Sequence, residues 1–231
     1  MTVAPTPLPR RPATRRPPTA VIVTVVAFLA IAVVLGVLAQ TQVRGSNGSP
    51  TIQGSGTPVA QTRVLPPFTA VTMAGDCSVS VVSGSPQHVV VSADDNLLRT
   101  VRTTVRAGTL RITTPGSFSA VSGMQVAITV PRVDALRLSG TGELTATGST
   151  PALAATLDGT GAMRLSGLVA RDVHATLSGT GAIEVTATRT LEAEIPGTGQ
   201  IAYNGFPKQV SESVTGTGAV VMGPGERSHM D

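Results

Sequence analysis

Apolar and polar residues alternate along the second half of the sequence, and the alternation breaks at regularly spaced Gly-Thr-Gly triplets. The triplets begin at residues 140, 159, 179, 197 and 216, so their spacings are 19, 20, 18 and 19 residues. Apolar residues occupy every second position on both sides of a triplet, as at Leu136, Leu138 and Leu144. A period of two is typical of strands with one buried face. The pattern predicts an all-β domain of repeated units about 19 residues long.

Two strand arrangements can produce this repetition. In an antiparallel meander, each triplet would be a hairpin turn between neighbouring strands. In a parallel β-solenoid, each triplet would be a corner, and successive repeats would stack as rungs about 4.8 Å apart. A meander gives no reason for every second turn to be identical, whereas stacking places equivalent residues directly above one another. The sequence therefore favours a β-solenoid.

Stacking also gives the triplets a structural role as corners. Glycine permits positive φ and has no Cβ to collide with the next rung. The threonines would form a ladder of identical side chains, which faces either inward to bond backbone groups or outward as a polar strip. The predicted corners are Gly140, Thr141, Gly142, Gly159, Thr160, Gly161, Gly179, Thr180, Gly181, Gly197, Thr198, Gly199, Gly216, Thr217 and Gly218.

Two features depart from a perfect repeat. Residues 64–133 have strand patterns but no triplet, so they are either early, less regular rungs or a capping sheet. Glu212 occupies a position that is alanine in earlier repeats, at Ala155, Ala175 and Ala193. Because a carboxylate in an apolar interior is costly, we expect the last rung to be open-ended or distorted.

The N-terminus contains a membrane-spanning candidate. Residues 20–39 are uncharged and predominantly apolar, and as a helix they would span roughly 30 Å, the thickness of a bilayer core. A retained anchor is favoured because the apolar core of a signal peptide is usually shorter, although Val37-Leu38-Ala39 also suits cleavage by signal peptidase. Four arginines precede the run, which places the N-terminus in the cytoplasm and the remainder outside.

Charge and composition complete the domain plan. The sequence pI near 10.5 comes from residues 1–63, which hold six Arg and no acid, whereas residues 64–231 hold 11 Lys plus Arg against 13 Asp plus Glu. A nucleic-acid partner is therefore not expected. We predict a disordered cytoplasmic tail at 1–19, a transmembrane helix at 20–39, a flexible linker at 40–63, the β-solenoid at 64–225 and a C-terminal tail at 226–231.

Three segments carry a resemblance to a known family. They are FTAVTMAGDCSVSVVSG, VVVSADDNLLRTVRTTVRAGTLRI and ITVPRVDALRLSGTGELTATG. From about Phe68 to about Gly223 the sequence resembles the bacterial auto-transporter adhesin head domains called GIN (DUF2807). The resemblance implies a right-handed parallel β-helix, often tethered to the bacterial envelope. It implies no enzymatic activity and supplies no catalytic residues.

Candidate reactive groups are few and scattered. Cys77 is the only cysteine, and we expect it to be a small residue within a strand. His88, His174 and His229 are isolated in sequence, so surface positions are expected and no metal site is predicted. The triplets precede strands instead of opening a helix, so they are not phosphate-binding loops.

Some parallel β-helices are carbohydrate-active enzymes, whose active sites contain clustered acidic residues. Glu143 and Asp158 flank neighbouring corners and are candidates to converge. Asp94 and Asp95 form an acidic pair that we interpret as part of a turn. Arg164 and Glu184 are expected to be neighbours on successive rungs and to form a surface ion pair.

The sequence thus predicts a cell-membrane protein with one transmembrane pass and an extracytoplasmic domain. We expect a non-enzymatic adhesion or surface-binding module without a cofactor, whose partner is an envelope polymer or glycan. A carbohydrate-active enzyme and a purely structural envelope protein are the alternatives.

Overall fold

The computed structural model describes residues 51–114, 118–121 and 123–223, all within the compact unit Ser49–Asp231. The cytoplasmic tail, the transmembrane segment 20–39, residues 40–50 of the linker and the tail 226–231 lie outside this part of the chain. Among the residues described, no helix is long and apolar enough to cross a membrane.

The described residues form strands and turns without a helix, which confirms the predicted all-β class. The strands are β1 (Ile52–Gln53), β2 (Pro58–Thr62), β3 (Ala70–Gly75), β4 (Ser78–Ser83), β5 (His88–Asp94), β6 (Arg102–Arg106), β7 (Thr109–Thr113), β8 (Phe118–Ser119), β9 (Gln125–Val130), β10 (Ala135–Gly140), β11 (Glu143–Leu157), β12 (Ala162–Leu177), β13 (Ala182–Ile195), β14 (Gln200–Asn204), β15 (Gln209–Val214) and β16 (Ala219–Met222).

Strands of successive repeats pair in parallel, with equivalent residues side by side. The segments after the triplets run β11, β12, β13, β14 and β16, and the segments before them run β10, β11, β12, β13 and β15. Leu138 pairs with Leu157, and Leu157 with Leu177, which are steps of one repeat. Pairing between repeats therefore follows the triplet spacing. Among the described residues these pairs are all parallel, whereas a meander requires antiparallel pairs.

The region without triplets extends the same parallel pairing. β3 pairs with β10 and β4 with the start of β11, and β7 and β9 then pair in parallel with β3 and β4. Gly75 lies opposite Gly140, so the turn AGDC occupies the place of SGTG. β5 and β6 pair antiparallel with β9 and β7. Both expected arrangements, early layers and covering strands, are present.

The predicted flexible linker is wrong for residues 51–63. β2 pairs antiparallel with β5 along its whole length, and β1 pairs with β8. All five β2 residues are exposed, so the strand is held mainly by backbone hydrogen bonds and buries little side-chain surface. Because β2 buries so little side-chain surface, its segment can have the polar, glycine-rich composition of a linker. The folded region therefore begins before the predicted boundary at Val64.

Alternate residues of the stacked strands form the core. Leu136, Leu144, Leu157 and Met163 are almost fully buried, as the period of two predicts. Alanine takes the narrower positions, with Ala155, Ala175 and Ala193 at 0% exposure. Glu212 lies opposite Ala193 in register but is exposed, as is every residue of β15. The column that Glu212 continues is thus buried in the inner layers and open at the last one.

Candidate functional site

The triplets of successive repeats lie directly against one another. A Cβ placed on Gly159, Gly179, Gly197 or Gly216 would overlap the carbonyl oxygen of the preceding triplet's first glycine. The amide of Thr180 donates to the Gly159 oxygen at 3.1 Å, and that of Thr198 to the Gly179 oxygen at 3.0 Å. Close backbone approach is therefore what requires glycine here. The expected positive φ occurs in the triplets only at Gly140, where φ is 146°.

The five central threonines, Thr141, Thr160, Thr180, Thr198 and Thr217, all face outward and are exposed. Within the described residues, none of their hydroxyls hydrogen-bonds to another part of the protein. Of the two orientations that the sequence left open, inward and outward, the threonine column therefore has the outward one and forms a polar strip. Each hydroxyl keeps its donor and both acceptor sites for solvent or a ligand.

The column runs along a groove of about 1160 Å³, which we call the threonine groove. Its lining also includes the first residues of the following strands, among them Ala162, Ala182 and Gln200. Asp76 and Phe118 continue the lining beyond Thr141. Among the described residues, the charged side chains of this lining are Asp76 and Glu143, and none of them is Lys or Arg. The groove is thus uncharged along most of its length.

Cys77 lies where the AGDC turn continues the groove, between β3 and β4 and not within a strand as expected. Burial, reinforced by the negative charge of Asp76, raises the pKa of the Cys77 thiol to about 12. The nucleophilic thiolate is therefore nearly absent at neutral pH. A sequence signal for this placement existed: Val71, Met73, Val79 and Val81 flank AGDC with the same spacing that apolar residues show around the triplets.

The acidic candidates do not converge. Asp158 pairs with Arg137, with Nη2 and Oδ2 2.5 Å apart, and Glu143 pairs with Arg164. Arg164 does lie beside Glu184 in register, but its ion pair is with Glu143, so the expected Arg164–Glu184 bridge is wrong. These acids sit in separate surface pairs.

The expected turn begins at Asp95, directly after β5 ends at Asp94, and the ADDN sequence has a role that the sequence did not reveal. Asp94 is buried and accepts a hydrogen bond from the Val121 amide at 2.9 Å. Asp95 accepts from the Ser55 hydroxyl at 2.5 Å. Asn96 donates to the Gln53 carbonyl at 2.7 Å and accepts from the Ser55 amide at 3.0 Å. The turn holds the β1–β2 segment, whose polar composition concealed the contact.

The histidines are separate from one another in the described region. His88 is exposed at the start of β5, and His229 lies outside the described residues. His174 Nδ1 is 3.1 Å from Glu192 Oε2. No group of three or more His, Cys, Asp or Glu side chains in this part of the chain is placed to hold a metal ion.

A second depression, of about 560 Å³, is lined by Asp134, Asp172 and Glu192 among other residues. Asp172 accepts hydrogen bonds from Arg189 Nε at 2.6 Å and Thr190 Oγ1 at 2.7 Å. The Arg189 hydrogen bond, followed by that from Thr190, lowers the pKa of Asp172 from 3.8 to about 2. Its charged groups are already paired with one another, so the threonine groove is the better candidate for binding a ligand.

The sequence profile of the family described as "Putative auto-transporter adhesin, head GIN domain" matches residues 67–149 and again 135–207. The chain belongs to this family. The two matches overlap at the first triplet, so one GIN match covers the irregular layers and the other covers the repeats as far as residue 207. No protein of curated function matches the sequence.

Solved structures similar to this GIN chain come from bacterial proteins. A "putative adhesin" from Bacteroides fragilis is 18% identical, with a TM-score of 0.48, and the match covers 74% of this chain and 99% of the other. A "putative lipid binding protein" from Parabacteroides distasonis is 18% identical, with a TM-score of 0.39 and coverage of 75% and 100%. A "putative adhesin" from Parabacteroides merdae is 16% identical, with a TM-score of 0.39 and coverage of 76% and 100%.

Proposed function

We propose that this protein is a non-enzymatic adhesion module of the bacterial cell surface, and that its threonine groove binds a neutral, linear glycan of an envelope. The observation that carries the proposal is the groove itself: five exposed hydroxyls in register, all without a partner among the described residues. Membership in an adhesin-like family supports the same reading.

The architecture in this proposal is a right-handed parallel β-helix, with the triplets as its corners. Parallel pairing at intervals of 18 to 20 residues and the overlap of successive triplets support it. Four steps of about 4.8 Å give a threonine column roughly 19 Å long. A column of that length suits an extended polymer better than a compact small molecule.

The chemistry of the groove favours a neutral ligand. Anionic polymers are held mainly by Lys and Arg, and the residues described along the groove include neither. Hydroxyl groups both donate and accept, which matches the hydroxyl-rich surface of a sugar chain. Asp76 adds negative charge at one end, which further opposes an anionic ligand, whereas the charge of Glu143 is paired with Arg164.

The proposal places the module outside the cell, anchored through residues 20–39 with the N-terminus in the cytoplasm. The four arginines that precede the apolar run, and the single Arg44 soon after it, support this orientation. An anchor of this kind would hold the groove close to the polymers of the envelope.

The test uses the full-length protein in detergent on an array of neutral and anionic glycans. We expect saturable binding to a neutral glycan without loss of polymer mass. Replacing two hydroxyls in Thr180→Val/Thr198→Val should weaken that binding by about 30-fold, since each neutral hydrogen bond contributes roughly 1 kcal/mol. The control Thr69→Val/Thr147→Val changes two exposed threonines outside the groove and should bind like the wild type.

Each other outcome has a defined meaning. Preferential binding to an anionic polymer would contradict the proposal that the ligand is neutral. Equal loss of binding in both double variants would show that the ligand does not bind in the threonine groove. Shortening of the polymer would indicate a carbohydrate-active enzyme. If the protein binds no glycan on the array, a purely structural role in the envelope would be the remaining alternative.

A further inference from the structure

The last layer of the stack exposes positions that are buried in every inner repeat. Val210 and Val214 continue the columns of Leu191 and Ile195, which are fully covered, yet their exposed fractions are 38% and 42%. In the described residues β15 pairs with β13 alone, so its other edge has no strand partner. An open edge with apolar side chains on its inner face is a template for a further strand.

Glu212 stands between these two valines in the same inward-facing set. The equivalent residues Ala155, Ala175 and Ala193 are fully buried by the layers that follow them. A strand from a second molecule added to β15 in the same way would enclose the Glu212 carboxylate among apolar side chains. Among the described residues Glu212 has no ion-pair partner, so the enclosed charge would be uncompensated.

The other way to cover the edge is a two-fold symmetric pair of β15 strands. In such an antiparallel pair the β15 strands of both copies lie side by side with their inward-facing residues on one face, and Glu212 is near the middle of Gln209–Val214. The two carboxylates would then lie on the same face within a few residues of each other, and like charges across a strand pair are destabilising. Both modes of covering the edge with a second copy therefore meet the same obstacle.

We propose that the β15 edge is a self-association surface for a second copy of this chain, and that Glu212 keeps it unassociated. Its neighbours supply the attraction: two half-exposed valines and an unpaired strand edge. The inward-pointing acid supplies the opposition, as charges on sheet edges do in other proteins. The role belongs to the carboxylate and not to the length of the side chain.

The test measures self-association of the full-length protein in detergent by sedimentation velocity over a range of concentrations. We expect the wild type to remain unassociated and Glu212→Ala to associate with at least about tenfold higher affinity, because an uncompensated buried charge is removed. Glu194→Ala is the control, since Glu194 is the adjacent acid on the opposite face, next to Ser213 in register. It should sediment like the wild type.

A second variant separates charge from folding. Glu212→Gln keeps the size of the side chain and removes the charge, so it should associate more than the wild type and less than Glu212→Ala. Thermal unfolding of each variant shows whether it is folded. If Glu212→Ala is misfolded, the self-association of Glu212→Gln tests the proposal. Sedimentation of folded Glu212→Ala or Glu212→Gln identical to that of the wild type would overturn the proposal, as would strong self-association of the wild type.

Discussion

At the scale of single residues, glycine in the triplets is required for space more than for backbone conformation. Most triplet glycines have ordinary φ, yet a Cβ on any of those in the later repeats would overlap backbone of the preceding layer. Backbone is less able to move aside than a flexible side chain. The repetition of glycine therefore follows from the distance between layers.

A single methyl group added to a triplet glycine should have a large effect on stability. Gly179→Ala would place its Cβ on the carbonyl oxygen of Gly159, so the two layers must separate. We expect a loss of about 2 kcal/mol or more in the free energy of unfolding, measured by chemical denaturation.

Gly84→Ala is the matched control for that experiment. Its Cβ would meet only the Thr129 methyl group at 3.5 Å, an ordinary contact, and its φ is not in the left-handed region. We expect a change within about 1 kcal/mol in either direction. Equal destabilisation of the two variants would show that layer contact is not what requires glycine at residue 179.

Asp172 is the residue whose titration should be visible in stability. Hydrogen bonds from Arg189 and Thr190 lower its folded pKa from 3.8 to about 2, so the unfolded chain takes up a proton first as the pH falls. Its contribution to stability is therefore complete above pH 3.8 and disappears towards about pH 2.

Urea unfolding at a series of acidic pH values measures this contribution. Asp172→Asn should flatten the fall in stability over that range compared with the wild type. Arg189→Gln removes the main cause of the shift and should flatten it similarly. Curves that stay parallel to the wild-type curve in both variants would show that this pair does not couple folding to protonation.

At the scale of elements, the alternation of apolar and polar residues identifies the inner strands, but it does not identify strands at the edge of the sheet. β11, β12 and β13 alternate between buried and exposed residues along much of their lengths, so sequence periodicity identifies them. β2 is exposed at every position and pairs through its backbone. Backbone pairing leaves no hydrophobic pattern, which explains why the linker prediction extended too far.

The ADDN turn should control this edge. Asn96 makes two hydrogen bonds to the β1–β2 segment, each worth about 0.5–1.5 kcal/mol. We expect Asn96→Ala to accelerate amide hydrogen exchange in β2 by roughly tenfold or more, while β12 keeps its protection.

Gln61→Ala is the control for this prediction, because it changes an exposed β2 side chain and leaves the turn intact. Its β2 amides should exchange at the wild-type rate. Unchanged exchange in Asn96→Ala would mean that pairing with β5 alone holds the segment.

At the scale of the whole molecule, stacking joins local features into a surface. Each repeat supplies one threonine to the groove, and the groove exists only because five repeats are in register. The same stacking exposes the inner face of the last layer, where Glu212 replaces the alanine of earlier repeats. One repeated contact thus creates both the candidate binding groove and the edge that needs protection.

The sequence by itself determined the all-β class, the repeat length, the buried columns and the family, because each is encoded in local spacing or in motifs. Only the tertiary structure decided that the threonines face outward, that AGDC joins their column and that Arg164 pairs with Glu143 in place of Glu184. It also assigned residues 51–63 to the fold. These features depend on contacts between residues distant in sequence, such as Gly75 with Gly140, and local periodicity carries no information about which distant segments meet.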